Sequence, residues 1–165
     1  DTFCYLITNS EKTAKLVNQI VSKLLPTIQR KELVKSSLSK NGFIAVCKNS
    51  SDMVNLANSL APEHLQIMTK NPKLISSKIT TAGLVLLGDY SPSSASDYIL
   101  GSNHILPTNG FGKIRGSLSV MDFIKINTEV TASRLSLSKI SKHLDTLTAS
   151  EGLPNHYEAV RGRLQ

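Results

Sequence analysis

The sequence predicts an α/β fold, a parallel sheet covered by helices, followed by a carboxyl-terminal helical hairpin. Two observations carry this prediction. Short apolar runs rich in β-branched and aromatic residues alternate with longer stretches whose apolar residues recur every three or four positions. From residue 131 onward only the helical period remains, broken once at Glu151-Gly152-Leu153-Pro154.

The elements follow in order. Residues 3–7, Phe-Cys-Tyr-Leu-Ile, read as a core strand, because such side chains suit a pleated surface. Thr8-Asn9-Ser10 gives a helix start, and Ala14, Leu16, Val17, Ile20, Val21, Leu24 and Leu25 follow at helical spacing. Pro26 interrupts that helix, and a second runs to about residue 39. Asn41-Gly42 predicts a turn into a strand over residues 43–47. Asn49-Ser50-Ser51 caps a third helix carried on Met53, Val54, Leu56, Ala57 and Leu60. Strands are expected at residues 65–68 and 84–87, with a helical turn or two over residues 72–77 between them. Continuous apolar strands of this kind are buried on both faces. The expected architecture of residues 1–130 is therefore a Rossmann-like, three-layer parallel sheet.

Residues 88–116 are rich in Ser, Pro, Gly and Asn, and a loop of that length in a compact domain is usually functional. Tyr90, Tyr98, Ile105, Leu106 and Phe111 predict that it is packed. A helical turn and then a strand over residues 123–130 are expected next. Residues 131–165 form the helical tail. Leu137, Ile140, Leu144 and Leu147 line one face, Gly152 ends the first helix, and Pro154 opens the second.

Composition narrows the classes. The chain has 165 residues, 40% hydrophobic and 19% charged, which suits one ordered domain with a sizeable core. No apolar run approaches the length of a membrane span, and no charged-then-apolar leader opens the chain. The first residue is Asp1 and a strand begins at once, so a piece of a larger unit is expected. Cys4 and Cys47 each lie in an apolar run and are expected as buried free thiols in a reducing, cytoplasmic setting. The net charge is +7, but Lys and Arg are scattered and only four Tyr and four Phe are present for stacking. A solvated basic surface is expected, with no nucleic-acid and no membrane partner.

The chemistry concentrates in short motifs: Ala61-Pro62-Glu63-His64-Leu65, Ser91-Pro92 with Asp97-Tyr98, the run from Gly101 through Asn103-His104 to Thr108, Ser117 to Phe123, and Glu151-Gly152-Leu153-Pro154-Asn155-His156. His64, His104 and His156 all fall in them, and only His143, on a helix face with Lys139 and Lys142, reads as solvated. Taken singly, each motif has a structural explanation. Glu63-His64 lies near a strand start, where adjacent residues face opposite ways unless the backbone is irregular. Asp97 follows a Ser run and reads as a helix cap. His104 reads as a hydrogen-bonded structural residue. Glu151 and His156 would diverge by about 140° on one straight helix, but Gly152 and Pro154 place them across a turn, suited to clamping a metal or a cation. No glycine-rich dinucleotide or phosphate loop, Cys-x-x-Cys or His-Glu-x-x-His is present.

In this order and spacing the motifs resemble the carboxyl-terminal part of histidinol dehydrogenase, over nearly the whole chain. The resemblance implies a zinc-dependent, NAD-linked oxidation of L-histidinol through the aldehyde to L-histidine. Glu63 and His64 would then be the catalytic acid–base pair, with His64 taking the alcohol proton and Glu63 activating water. Asp97 and His156 match zinc ligands. His64, Asp97, His104, Glu151 and His156 match substrate contacts. The resemblance further implies a homodimer in which the helical tails are exchanged, so that Glu151 and His156 complete the partner's site. The family's other zinc ligands, a Gln and a His, and most of its NAD-binding region precede the matched part, so residues 1–165 alone are expected to be inactive. The chain departs from the family at Ser93, where Glu is frequent, at Ser96, where Gly is usual, and at Asn155, where Ala is common. A non-catalytic α/β module that binds a metal or small ligand is the alternative, and a basic nucleic-acid binder a weaker one.

Overall fold

A computed structural model describes residues 2–165. The chain divides into two compact units, one ending at Asp122 and the other spanning Phe123–Gln165, a break earlier than the one after residue 130 that the sequence suggested.

The first unit runs β1 (Cys4–Thr8), α1 (Glu11–Leu24), α2 (Lys31–Asn41), β2 (Gly42–Val46), α3 (Ser50–Leu60), β3 (His64–Ile67), α4 (Pro72–Ser76), β4 (Leu84–Leu87) and α5 (Ser93–Ser96), with short 3₁₀ turns at Phe111–Lys113 and Val120–Phe123. Strand β1 pairs with β2 and β3 with β4, each in parallel. Parallel neighbours need a crossover, which the intervening helices supply. Among the described residues the strands form these two separate pairs, not the single three-layer Rossmann-like sheet expected. Each strand is bonded along one edge only, and its faces are partly open: Phe43, Ile44 and Val46 of β2 stay exposed. The expected burial on both faces therefore does not hold for β2. Cys4 is likewise exposed and Cys47 half-buried, both as free thiols.

Local chemistry explains the boundaries. The Ser10 hydroxyl accepts the Thr13 N–H (3.2 Å) to start α1, and Asn49 Oδ1 accepts the Asp52 N–H (2.9 Å) to start α3. Helix α2 continues through Asn41 and passes straight into β2, so the predicted Asn-Gly turn is absent. Gly42 serves another purpose, because a Cβ there would lie 2.6 Å from the Leu38 carbonyl oxygen. The buried apolar core is small-residue rich, with Ala14, Val54, Ala57, Ala61, Ile67 and Leu86. Asn58 ties α3 to the approach of β4: its amide donates to the Lys78 carbonyl (2.9 Å) and accepts the Thr80 N–H (2.9 Å).

In the second unit, residues 124–133 carry no regular structure, and Phe123, Ile126 and Val130 are exposed. The strand expected over residues 123–130 does not form, since a strand needs a hydrogen-bonded neighbour and none of the described strands provides one. Helices α6 (Arg134–Ser150) and α7 (Pro154–Leu164) make the expected hairpin. Ser133 caps α6, and Gly152 turns the chain at φ +71°, a left-handed conformation that glycine adopts without strain. No helix among the described residues is long and apolar enough to cross a membrane.

Gly112 is buried with its α-carbon against the Thr81–Gly83 backbone, where a Cβ would collide with the Thr81 carbonyl oxygen. Gly112→Ala is expected to cost about 1–3 kcal/mol through forced backbone displacement. Denaturant unfolding checks this, and an unchanged midpoint would contradict the packing described.

Candidate active site

His64 opens β3, and the irregular backbone its motif requires is present. Ala61 terminates α3 at φ +46°, in the left-handed region, and Glu63 lies in the bend before the strand. Strand β4 fixes that bend. The Gly83 N–H donates to the Pro62 carbonyl (3.0 Å) and the Leu84 N–H to the Glu63 carbonyl (2.9 Å). Gly83 permits this closeness, because a Cβ there would sit 2.9 Å from the Glu63 carbonyl oxygen and 3.1 Å from the Pro107 ring. Glu63 and His64 thus serve one place although they are adjacent in sequence.

The imidazole stands between two carboxylates. His64 Nε2 lies 3.0 Å from Asp97 Oδ1, a hydrogen bond, and Nδ1 lies 3.7 Å from Glu63 Oε1, beyond hydrogen-bond range but within reach of an ion pair. An ionised carboxylate only accepts, so we assign the proton to Nε2. In the neutral ring Nδ1 is then a free lone pair facing Glu63. His64 and Asp97 side chains retain 22% and 34% of their exposure, which gives a partly dehydrated site still open to a ligand. In that tautomer the arrangement offers Nδ1 as a proton acceptor, with one carboxylate on each side of the ring.

Asp97 is not the N-terminal cap its Ser-rich lead suggested. It follows the last residue of α5, at the carboxyl end. The packing expected for residues 88–116 from their aromatic and apolar side chains does not hold, since Tyr90, Tyr98, Ile105 and Phe111 are exposed; hydrogen bonds order the loop beyond Asp97 instead. Asn103 donates its side-chain N–H to the Leu118 carbonyl (2.9 Å) and accepts the Ile105 N–H (3.0 Å), while the Leu118 N–H returns to the Ile105 carbonyl (3.0 Å). Ser119 and Asp122 form a capping box on the second 3₁₀ turn: the Met121 N–H donates to the Ser119 hydroxyl (3.2 Å) and the Ser119 N–H to Asp122 Oδ2 (2.7 Å). Arg115 bonds the other Asp122 oxygen at 2.9 Å.

Within the first unit, His104 is not drawn into the His64 cluster. His104 is exposed at the surface of the same loop. Glu151 caps the end of α6 and His156 lies in the first turn of α7, both exposed, so they flank the Gly152 turn as expected. His143 is exposed on α6. Asp97, His64 and His156 carry donor types that zinc accepts. Among the described residues, however, no three His, Cys, Asp or Glu side chains gather as a metal site. Sequence reasoning overlooked Gly83, whose role depends on a contact across the sheet. It also overlooked the Ser119–Asp122 capping box, whose Ser-x-x-Asp spacing was readable.

An imidazole between carboxylates on an α/β scaffold has the groups that acid–base chemistry uses. The histidinol dehydrogenase family model matches residues 1–164. Histidinol dehydrogenase from Oceanobacillus iheyensis is 39% identical over 157 residues, covering 95% of this chain and 37% of that protein. The one from Methanopyrus kandleri is 40% identical over 159 residues, covering 96% and 37%. The crystal structure of histidinol dehydrogenase from Elizabethkingia anophelis superposes with a TM-score of 0.87 at 32% identity, covering 97% of this chain and 37% of that one. The chain belongs to the histidinol dehydrogenase family, and it spans about 37% of the length of the curated relatives it matches.

Asp122 is held below its ordinary value of 3.8, first by the Ser119 N–H and further by the Arg115 charge. A depressed carboxylate stabilises the fold fully above its unfolded value and loses that contribution as pH falls through the folded value. Asp122→Asn is therefore expected to lower stability at neutral pH, with the gap to the parent closing below about pH 4. Thermal unfolding at pH 7 and pH 3 checks the sign.

Proposed function

We propose that this chain forms part of an enzyme that oxidises L-histidinol through L-histidinal to L-histidine, with two equivalents of NAD, in histidine biosynthesis. The observation that carries the reading is His64 between Glu63 and Asp97, at the positions that match the family's catalytic motif. In the first oxidation His64 removes the hydroxyl proton of histidinol at Nδ1 as the carbinol carbon gives up its hydride. NAD, when bound, accepts that hydride. Asp97 holds the ring by Nε2 and offsets the charge it gains. In the second half Glu63 takes a proton from water as the oxygen adds to the aldehyde carbon, and oxidation of that hydrate gives the carboxylate.

Asp97 and His156 would hold zinc, which supplies, when bound, a positive anchor for the imidazole and amine of the substrate. His64, Asp97, His104, Glu151 and His156 contact histidinol. Zinc takes about four ligands, so residues 1–165 supply half the shell and in isolation turn over negligibly. The other donors and most of the NAD site belong to the part of the family's length this chain does not match. The enzyme works as a homodimer in the cytoplasm, and the helical tail, with Glu151 and His156, completes the partner's site. The tail's folding as its own compact unit supports this exchange.

In the full-length enzyme His64→Ala is expected to lower kcat by about 10²–10⁴-fold, the worth of a positioned general base. NADH absorbance with histidinol and NAD measures it, and full retained activity would remove His64 from the mechanism. Glu63→Gln is expected to depress oxidation of histidinal more than that of histidinol. Separate assays with each substrate decide it, and equal losses would reject the division of labour.

A further inference from the structure

We propose that Ser102 is a positioning residue for Asp97, acting through the Ser96 carbonyl. The proposal rests on the reading of Asp97 as a site residue. Ser96 is 0% exposed, the largest side chain buried so completely among the described residues. Its hydroxyl donates to the Ser93 carbonyl (2.7 Å), and its own carbonyl accepts the Ser102 hydroxyl (2.8 Å). That carbonyl belongs to the peptide plane that carries the Asp97 nitrogen, so the Ser102 bond fixes the root of the side chain that holds His64. The Asp97 N–H itself turns toward the Ala95 and Ser93 carbonyls, and its bond to Ser93 is long at 3.4 Å, so this end of the plane is held loosely.

The loop geometry serves this contact. The Ile99 and Leu100 N–H groups both donate to the Ala95 carbonyl (3.0 and 3.3 Å), and Gly101 turns the chain back at φ +82°. Ser102 arrives over α5 as a result, and Asn103 anchors the next residue to Leu118. Tyr98 and Ile99 point to solvent, 88% and 85% exposed, so side-chain packing does little to hold the Asp97–Gly101 segment. A hydroxyl clamp replaces it. Precise placement matters because Asp97 must meet His64 within hydrogen-bond distance, and supports of this kind affect site function by about 10–100-fold where ligands are concerned.

The test compares Ser102→Thr, which keeps the hydroxyl, with Ser102→Val, which has nearly the same shape without it. Both are made in the full-length protein, labelled with nitrogen-15 at histidine and free of metal, with Asp97→Asn as reference. At fixed pH, Ser102→Val is expected to move the His64 ring-nitrogen resonances toward those of Asp97→Asn, and Ser102→Thr to leave them in place. Zinc affinity by chelator competition is expected to fall about 10-fold in Ser102→Val and less than about twofold in Ser102→Thr. Unmoved His64 resonances in folded Ser102→Val would overturn the clamp. If Asp97→Asn itself leaves zinc affinity unchanged, the zinc reading of Asp97 falls, and the resonances alone decide the clamp. Should Ser102→Val not fold, Ser102→Ala, which adds no bulk, takes its place under the same criteria.

Discussion

The bond between His64 Nε2 and Asp97 Oδ1 sets what the site can do, and the parallel register of β3 with β4 sets that bond. His64 pairs with Leu84 at the first rung of the ladder, so the ring leaves the sheet at its very edge. Shifting the register by one residue would turn the imidazole to the opposite face. Asp97 approaches from the end of α5, the short helix that packs on β3, and accepts the hydrogen bond from the Nε2–H. That choice leaves Nδ1 beside Glu63. A single contact thereby makes the two edges of one ring chemically different, a donor toward Asp97 and an acceptor toward Glu63.

Holding a carboxylate at 3.0 Å from an imidazole demands a stiff frame, and here the frame is made of main-chain carbonyls and small residues. Gly83 lets β4 close on the Glu63 carbonyl, and Gly112 lets the loop close on Thr81. Serine hydroxyls at 93–102 and the Ser119–Asp122 box tie the loop to itself. Each such bond contributes only about 0.5–1.5 kcal/mol. Their value is directional: they fix peptide planes, where an apolar cluster would fix only distances. A loop with exposed Tyr98 and Ile99 can be ordered by this means without a core of its own.

The longer helices and the four strands were legible in the sequence, because their signals are local, whereas the short α5 inside the Ser-rich loop was not. Ser10 and Asn49 announce caps, Pro154 and Gly152 bracket a turn, and apolar residues at three and four mark the faces. The association of strands was not legible. An apolar run states that a strand wants burial, but not which edge it pairs with, so Cys4–Thr8 and Leu84–Leu87 look alike yet join different sheets. The site was legible only as an ordered set. Glu63-His64 alone violates strand alternation, and what rescues it is the left-handed Ala61, a residue whose type gives no warning of that backbone. Asp97 was misplaced at the wrong end of its helix, because a Ser run before an acid signals a start more often than an end.

The apolar faces that the two small sheets and α1 leave open follow from the same argument. Leu16, Ile20 and Leu24 recur along one side of α1 and stay about half exposed, as do the open residues of β2. Along residues 124–130, Ile124, Ile126 and Val130 fall on alternate positions, the pattern of a strand, yet nothing among the described residues pairs with them. A chain gains about 25 cal/mol for each Å² of apolar surface it removes from water, and an extended backbone keeps its shape only when its N–H and C=O groups are met. Both deficits fall where the sequence pattern is strongest, not where it is weak. The pattern therefore specifies more packing than these residues make among themselves, in keeping with relatives of which they match about 37%. The His64–Asp97 pair escapes this dependence. Its register, its bend and its loop are all built from contacts within the first unit, so the pair is formed where the surrounding apolar faces are still uncovered.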